Sequence, residues 1–529
     1  MAGFNQQPMT VGQALRAHPD ATVNHEGGLA FTIDPRSRLY TRVTASFCGE
    51  PKYYGSDERA KRPNEVRAFP SEELTHPAGC ETGANELQAL RADVRAVAEV
   101  DPEFVLRLAA FARQECFMRS TPIAVLAEAA AIPACKPFVR RWTPQIVRRA
   151  DELAEVIAAW ISVHGQIGTR GGRGGEHAFP NSLSQVIADA MRNFDEYQLA
   201  KYDRERSVTL RDVLRIVRPK PANDAEGALW RYLVRGALDA AKLPLLAAKA
   251  AFLRAGAFDD EAVALARRAH VTWEVAISKF GSKAEVWNAL HLPFMAGLRN
   301  IVNCMRTGAD DALTRICAML RDARAVERSK QLPFRFLSAY RMIESGKRPQ
   351  RDRATGRIDW IDDPAVANHP RRAEVLESIA TALELSVVNL PRLSGVTAIL
   401  ADNSGSMDDT LSDKTVVTRK DVANLLAAVA HRACERSHVL AFGSDVEWVD
   451  VLRMDSAMTN MGRIAETGSR VGSWTYAYLT LRALRERRIR VDRAILLSDM
   501  QCYTEPSQAA SLIEELTRYR REVAPEVRL

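Results

Sequence analysis

The chain has 529 residues, 47% of them apolar, and a formal charge of +7. At roughly 100–200 residues per domain it is too long for one ordinary core and is expected to build three domains or two. No run of 18 apolar residues occurs, and Met1 to Asp20 has neither a basic nor an apolar leader pattern, so the expectation is a soluble, monomeric cytoplasmic protein without a membrane segment.

The basic balance, with a pI near 9.0, admits an anionic partner such as nucleic acid without requiring one. The eight cysteines never form a C-x-x-C and fall mostly in helix-like apolar segments, which predicts reduced, buried thiols.

Residues 1–80 read as irregular, with Pro, Gly and charge among short apolar patches. From Asn85 to about Tyr340 the apolar spacing is helical, as in Val105-Leu106-Arg107-Leu108-Ala109-Ala110-Phe111-Ala112. Pro breaks the helices at Asp101-Pro102, Thr121-Pro122, Ile132-Pro133 and Leu292-Pro293, and X-Pro after an Asp or Thr cap reads as a helix start, because Pro at a first helical position lacks only an amide that has no partner there. Short successive helices of this kind predict an α-solenoid related to HEAT or armadillo arrays; a compact all-helical domain is the alternative.

Gly165 to Asn181 is a Gly/Arg loop, and the polar segment from Gly346 to Arg372 marks a domain boundary. Beyond it the pattern changes to strand 396–401, helix 419–436, hairpin 438–452, helix 474–487, strand 493–498 and helix 507–520. Such alternation predicts a doubly wound α/β sheet, whose ligands bind beyond the carboxyl ends of the strands.

Two carboxylates fall at those ends. Asp402-Asn403-Ser404-Gly405-Ser406 follows the buried run Val396 to Ala401, and Asp499 closes the run Ala494 to Ser498. Asp402, Ser404 and Ser406, with Thr475 from a third loop and Asp499, make an all-oxygen set suited to Mg2+ or Mn2+ with one position open. With so few negative ligands, the ion would take an anionic oxygen there, such as an acidic residue of a protein partner. Capping of the next turn by Asp402 and the serines is the alternative for that loop alone. The arrangement resembles the metal-ion-dependent adhesion site (MIDAS) of von Willebrand factor A domains over roughly residues 390–529.

Other segments resemble the Ro/TROVE family of ring-shaped RNA-binding proteins. They are Asp34-Pro35-Arg36-Ser37-Arg38-Leu39 with Tyr53-Tyr54, Leu292-Pro293-Phe294-Met295-Ala296-Gly297-Leu298-Arg299-Asn300, Leu332-Pro333-Phe334-Arg335-Phe336, and Ser498-Asp499-Met500-Gln501. The resemblance implies an N-terminal segment (1–80) joining ring and A domain, a helical-repeat TROVE ring (81–372) and an A-like domain (373–529). It also implies a ribonucleoprotein that binds misfolded and small Y-like non-coding RNAs, and that tethers an exoribonuclease through RNA.

From the residues themselves, Arg211, Arg215 and Arg218 would share one helix face able to neutralise phosphates. The basic run begins at Lys201 and includes Arg204 and Arg206. Lys201 and Arg218 fall where the family's RNA-contacting residues are expected, whereas Glu205 stands at an intervening position where a basic residue is expected. Arg170 and Arg173 in the glycine loop, with Lys136, Arg140, Arg141, Arg148 and Arg149, extend the positive field.

Gly168 to Gly175 lacks the G-K-[ST] of a phosphate-cradling loop, and no nucleophile-base arrangement has a supporting context, so no catalytic residues are assigned. Trp230, Tyr232 and Trp287 read as core rather than stacking platforms. Val523 to Leu529 looks like the start of a strand, so the expectation is a sheet with an exposed edge, one completed by another chain, or an A-like domain truncated at its C-terminus. The alternative function is a metal-dependent protein-interaction module that binds no RNA.

Overall fold

The structure, a computed structural model, describes residues 21–23, 29–31, 33–46, 83–165, 167, 179–202, 207–351, 358–411, 415–499 and 511–529. The chain divides into two compact units, Thr32–Ala276 and a second that groups Ile277–Leu529 with the N-terminal hairpin β1 (Ala21–Val23) and β2 (Leu29–Phe31). The sequence pattern instead places the boundary at the segment ending at Arg372.

The first unit is helical. Pro102–Gln114 starts as expected: Asp101 caps it by accepting from the Phe104 amide at 3.2 Å. One start is displaced. Ser120–Ala131 begins before Thr121-Pro122, so Pro122 lies inside the first turn, where its missing amide still costs nothing, and Thr121 is buried instead of capping. Pro133 opens a single 3-10 turn ahead of Lys136–Ile146. Ser120–Ala131 is buried on nearly every side, as is the first half of Ala150–His164.

The carboxylates on these central helices are therefore buried, and each is met by arginine. Arg91 and Arg95 pair with Glu128, Arg113 with Glu152, and Arg119 with Asp151 and Glu155. Arg38 and Arg42 clamp Asp93 in the same way. Removing one partner of such a pair strands a charge in the core, a loss of about 3–5 kcal/mol. No single described helix is long and apolar enough to cross a membrane.

In the second unit, Phe294–Thr307, Asp310–Arg321 and Pro333–Ser345 continue the helical pattern, with Pro293 at the cap position of the first. The described residues of the Gly346–Arg372 segment are structured. They form the antiparallel hairpin β3 (Lys347–Arg351) and β4 (Ile358–Asp362), followed by the short helix Pro364–Ala367. Buried Asp363 pairs with Arg306 at 2.6 Å, and the Asp363 amide donates to the Gly346 carbonyl at 2.7 Å. Asp310–Arg321 and Pro333–Ser345 then pack on Arg372–Ser386 across it.

The α/β part has a four-stranded sheet in the order β7 (Val446–Val449), β6 (Cys434–Phe442), β5 (Leu393–Asp402), β8 (Arg493–Leu497). β5 runs parallel to both β6 and β8, and β7 is an antiparallel edge. Ala398, Leu400, Leu440 and Phe442 share a core with Leu481, Leu484 and Tyr519 from the helices Tyr478–Glu486 and Leu512–Glu522. Arg419–Ala433 packs against β5 and β6.

Three helices of more than ten residues fall where none was expected: Pro35–Ala45, capped by Asp34 within the segment read as irregular, Arg372–Ser386, and Ala457–Gly468, capped by Ser456. The helix expected from Trp474 starts at Tyr478. After Leu512–Glu522 the chain returns to β8, where the Ala494 amide donates to the Arg528 carbonyl at 2.7 Å in a single parallel bridge.

Two glycines of Ala457–Gly468 make opposite predictions. A Cβ on Gly468 would lie 2.2 Å from the Asn403 side chain, whereas one on Gly462 meets nothing within 4 Å. Gly468→Ala should lose about 1–3 kcal/mol in denaturant unfolding. Gly462→Ala should gain about 0.5–1 kcal/mol from helix propensity alone.

Candidate cation cup and basic face

The strand order sets the first site. With β5 central and parallel to β8, their carboxyl ends lie side by side, which is where an open α/β sheet binds ligands. Asp402, the last residue of β5, has no exposed surface. Its carboxylate accepts from the Ser404 amide at 2.9 Å and from the Ser498 hydroxyl at 2.6 Å. Among the described residues no lysine or arginine pairs with it.

Asn403 shapes the loop. Its amide donates to the Phe442 carbonyl at 2.9 Å, and its side chain exchanges two hydrogen bonds with Asn424. Ser404 and Ser406 hydroxyls then stand 3.4 Å apart. The Gly405 amide donates to the Ser473 carbonyl at 2.9 Å, tying this loop to the one that carries buried Thr475. That second loop is pinned by Gly443, where a Cβ would lie 2.3 Å from the Gly472 carbonyl.

Asp499, mostly buried, is held by Arg419, 3.1 Å away; the same guanidinium reaches the Ser406 carbonyl at 3.3 Å. Asp402, Ser404, Ser406 and Asp499 thus converge on one edge, with Thr475 joined to it through Ser473. Ser498 and Arg419 are members that the sequence reading does not single out. Ser498 has a signal, its place beside Asp499. Arg419, in the first turn of a Thr418/Asp421-capped helix, has none.

Burial raises the pKa of Asp402; hydrogen bonds from Ser404 and Ser498 oppose the shift, and nearby Asp499 adds to it. Among the described residues no three His, Cys, Asp or Glu side chains cluster as metal ligands, so a cation here depends on hydroxyls and water beside the two carboxylates. A buried carboxylate without a cationic partner is the chemistry such an ion would complete.

The second site is the basic face. Thr209 and Asp212 form a capping box that starts Leu210–Val217. Arg211 and Arg215 stand exposed one turn apart, and Arg218 is exposed at the left-handed C-cap (φ 52°). Arg211 and Arg218 donate only to backbone carbonyls, of Leu233 and Arg215, and none of the three pairs with a carboxylate among the described residues. Lys201 ends Glu196–Tyr202 with its ammonium 5.6 Å from the Tyr197 ring and 5.4 Å from the Tyr202 ring.

Much of the upstream charge is already engaged. Arg141 pairs with Glu103 at 3.0 Å, Arg149 with Asp151 at 3.1 Å, and Arg140 lies 3.9 Å from Asp189. Lys136 and Arg148 remain exposed. Arg170, Arg173, Arg204 and Arg206 lie outside the described residues. Trp230 and Trp287 are buried and Tyr232 half-buried. Burial pushes the Cys135 thiol up to about 11 and the Cys304 thiol up to about 12, so both stay protonated and unreactive at neutral pH.

The raised Asp402 pKa makes a signed prediction. The folded state disfavours its ionised form, so the penalty is full above the folded pKa and vanishes below the unfolded value of about 3.9. In chelator-treated protein, Asp402→Asn should melt above the parent at pH 7, and the gap should close as pH falls toward 4. A variant less stable than the parent at pH 7 contradicts this.

The TROVE domain family model matches residues 75–243 and 255–389, more than half of the chain. Telomerase protein component 1 of Mus musculus is 29% identical over 314 residues, and that of Rattus norvegicus 30%. Each alignment covers 49% of this chain but only 12% of the relative, so the chain matches a small part of those proteins. The crystal structure of the Ro (RSR) protein of Deinococcus radiodurans superposes with a TM-score of 0.63 at 19% identity, over 92% of this chain and 90% of that one. That likeness carries the fold, and the family match carries the assignment: this chain belongs to the TROVE domain family.

Proposed function

We propose that the chain is a non-catalytic, Ro-like RNA-binding scaffold, monomeric and cytoplasmic. Its helical repeats take small Y-like and misfolded non-coding RNAs, and residues 373–529, a von Willebrand factor A-type domain, hold Mg2+ or Mn2+ for contact with a protein partner. An exoribonuclease held through a shared RNA is the partner class this reading favours on the helical side.

The observation that carries the reading is the state of Arg211, Arg215 and Arg218. Several arginines of the same unit are engaged by carboxylates, whereas these three are among the exposed ones that are not, among the described residues, and they stand close together on one short helix and its C-cap. Guanidinium groups at this spacing neutralise successive phosphates and release counterions, while Lys201 beside Tyr197 and Tyr202 offers charge next to ring faces. Backbone contacts of this kind suit RNAs recognised by shape and single-stranded ends.

At the cup, Asp402 would supply the main charge and Ser404, Ser406 and Thr475 neutral oxygens. Asp499, already engaged by Arg419, suits a water-bridged role. A bound divalent ion would act there as a Lewis acid for one anionic oxygen of a partner. The second reading, a metal-dependent interaction module without RNA, is favoured by Asp402 alone: a buried carboxylate without a cationic partner among the described residues.

Filter binding separates the readings. A structured RNA with a single-stranded 3′ tail should bind tightly at low salt. Reversing Arg211, Arg215 and Arg218 to Glu should weaken it at least roughly ten-fold and flatten the salt dependence by about two phosphate contacts. Unchanged affinity places the RNA elsewhere, and no binding by the parent leaves the second reading. For the cup, Asp402→Ala should abolish Mn2+ binding seen by electron paramagnetic resonance; retained binding contradicts the ligand set.

A further inference from the structure

One side chain of the cup is itself a cation. Arg419 opens the helix Arg419–Ala433, and the Nη1 atom of its guanidinium lies 3.1 Å from an Asp499 oxygen, 3.3 Å from the Ser406 carbonyl oxygen and 3.8 Å from an Asp409 oxygen. A positive charge in the first turn of a helix stands against the macrodipole, so the helix gains nothing from it there. The acids in front of it are what hold the group.

The two acids differ in their surroundings. The Asp499 side chain is 10% exposed and follows Ser498, whose hydroxyl donates to Asp402 at 2.6 Å, so it belongs to the cup. The Asp409 side chain is 73% exposed and lies outside the ligand set. The backbone keeps it within reach: the Arg419 amide donates to the Asp409 carbonyl at 2.9 Å, and Thr410 pairs with Thr418 in an antiparallel bridge. The Arg419 side chain is 38% exposed, so turning from one acid to the other needs no opening of the core.

Charge decides whether a divalent ion and Arg419 can share the cup. The carboxylates of Asp402 and Asp499 together balance one such ion. With the guanidinium still on Asp499, the same cluster carries a surplus positive charge in a site where Asp402, Ser404 and Thr475 are buried. Like charges a few ångströms apart in surroundings of this kind repel strongly. In the ion-free protein the balance is reversed, and the guanidinium offsets the repulsion between two neighbouring carboxylates.

We propose that Arg419 is an internal competitor of the divalent cation and sets the affinity of the cup. In the ion-free protein its guanidinium neutralises Asp499. On loading of the cup the guanidinium transfers to Asp409, and Asp499 is released to serve the ion through bound water. The cup therefore holds Mg2+ or Mn2+ more weakly than the same oxygens would without Arg419, and its ion-free form is the more stable for it. The inference rests on the cation-cup reading.

The test measures the Mn2+ affinity of the full chain by electron paramagnetic resonance, with thermal melting in chelator as a second readout. Arg419→Gln should bind Mn2+ at least roughly ten-fold more tightly than the parent and melt below it in chelator, whereas Arg419→Lys, which keeps the charge, should bind like the parent. Asp409→Asn should weaken Mn2+ binding, and that loss should vanish in the Arg419→Gln background, where there is no guanidinium to receive. Arg419→Gln binding Mn2+ no more tightly than the parent overturns the competition while leaving the cup intact, and so does an equal gain in Arg419→Lys. Asp409→Asn without effect, or with a loss that persists in the Arg419→Gln background, overturns the transfer. Mn2+ bound by Arg419→Gln but not measurably by the parent supports the proposal; Mn2+ bound by neither overturns the cup and this inference with it.

Discussion

The α/β half of this protein is arranged around a single awkward charge, the Asp402 carboxylate. It ends a strand whose last six residues are buried, and it accepts hydrogen bonds from an amide and a hydroxyl. Three loops meet there because the sheet order brings the ends of β5 and β8 together and because Asn403, Gly405 and Gly443 tie the loops to one another. Arg419 relieves the neighbouring Asp499, and among the described residues no lysine or arginine pairs with Asp402. A site with unbalanced charge and several hydroxyls gains most from a hard ion.

The helical unit shows the opposite arrangement. Its buried carboxylates are closed off by arginines, so net charge is a poor guide to its surface. The unit contributes many positive side chains, yet Arg38, Arg42, Arg91, Arg95, Arg113, Arg119 and Arg149 face acids in or beside the core. The charge left for a polyanion is smaller than the count of basic residues, and among the described residues it includes Arg211, Arg215 and Arg218 with Lys201. The proposed RNA contacts therefore rest on which arginines are left over, not on a pI near 9.0.

Legibility in the sequence tracks the range of the interactions. β5 is readable because a strand buried on both faces is a continuous apolar run, β8 because it is likewise apolar though only partly buried, and the aspartates at their ends advertise the cup. The Asp101-Pro102 start is readable because a cap is local. The β3–β4 hairpin is not: Lys347-Arg348-Pro349-Gln350-Arg351 has the composition of a loop, and the ion pair of buried Asp363 with Arg306 that fastens the chain just after β4 is a long-range contact. Ala457–Gly468 is hidden by its Thr, Asn and Gly content, and it is held by packing against Arg419–Ala433. Arg149 looks like free positive charge because its partner Asp151 sits on a buried helix face that periodicity alone does not assign. Ser498 and Arg419 reach the cup through contacts spanning 96 and 80 residues.

The central claim is that RNA lies on the face formed by Lys201 and the arginines of Leu210–Val217. Ultraviolet crosslinking of the full chain to a structured RNA with a single-stranded 3′ tail, with the crosslinked peptides identified by mass spectrometry, tests it most directly. The account predicts crosslinked peptides spanning Lys201 to Arg218, with Tyr197 and Tyr202 as the nearest rings. Crosslinks confined to the α/β part, or none under conditions where the RNA is retained, would contradict it.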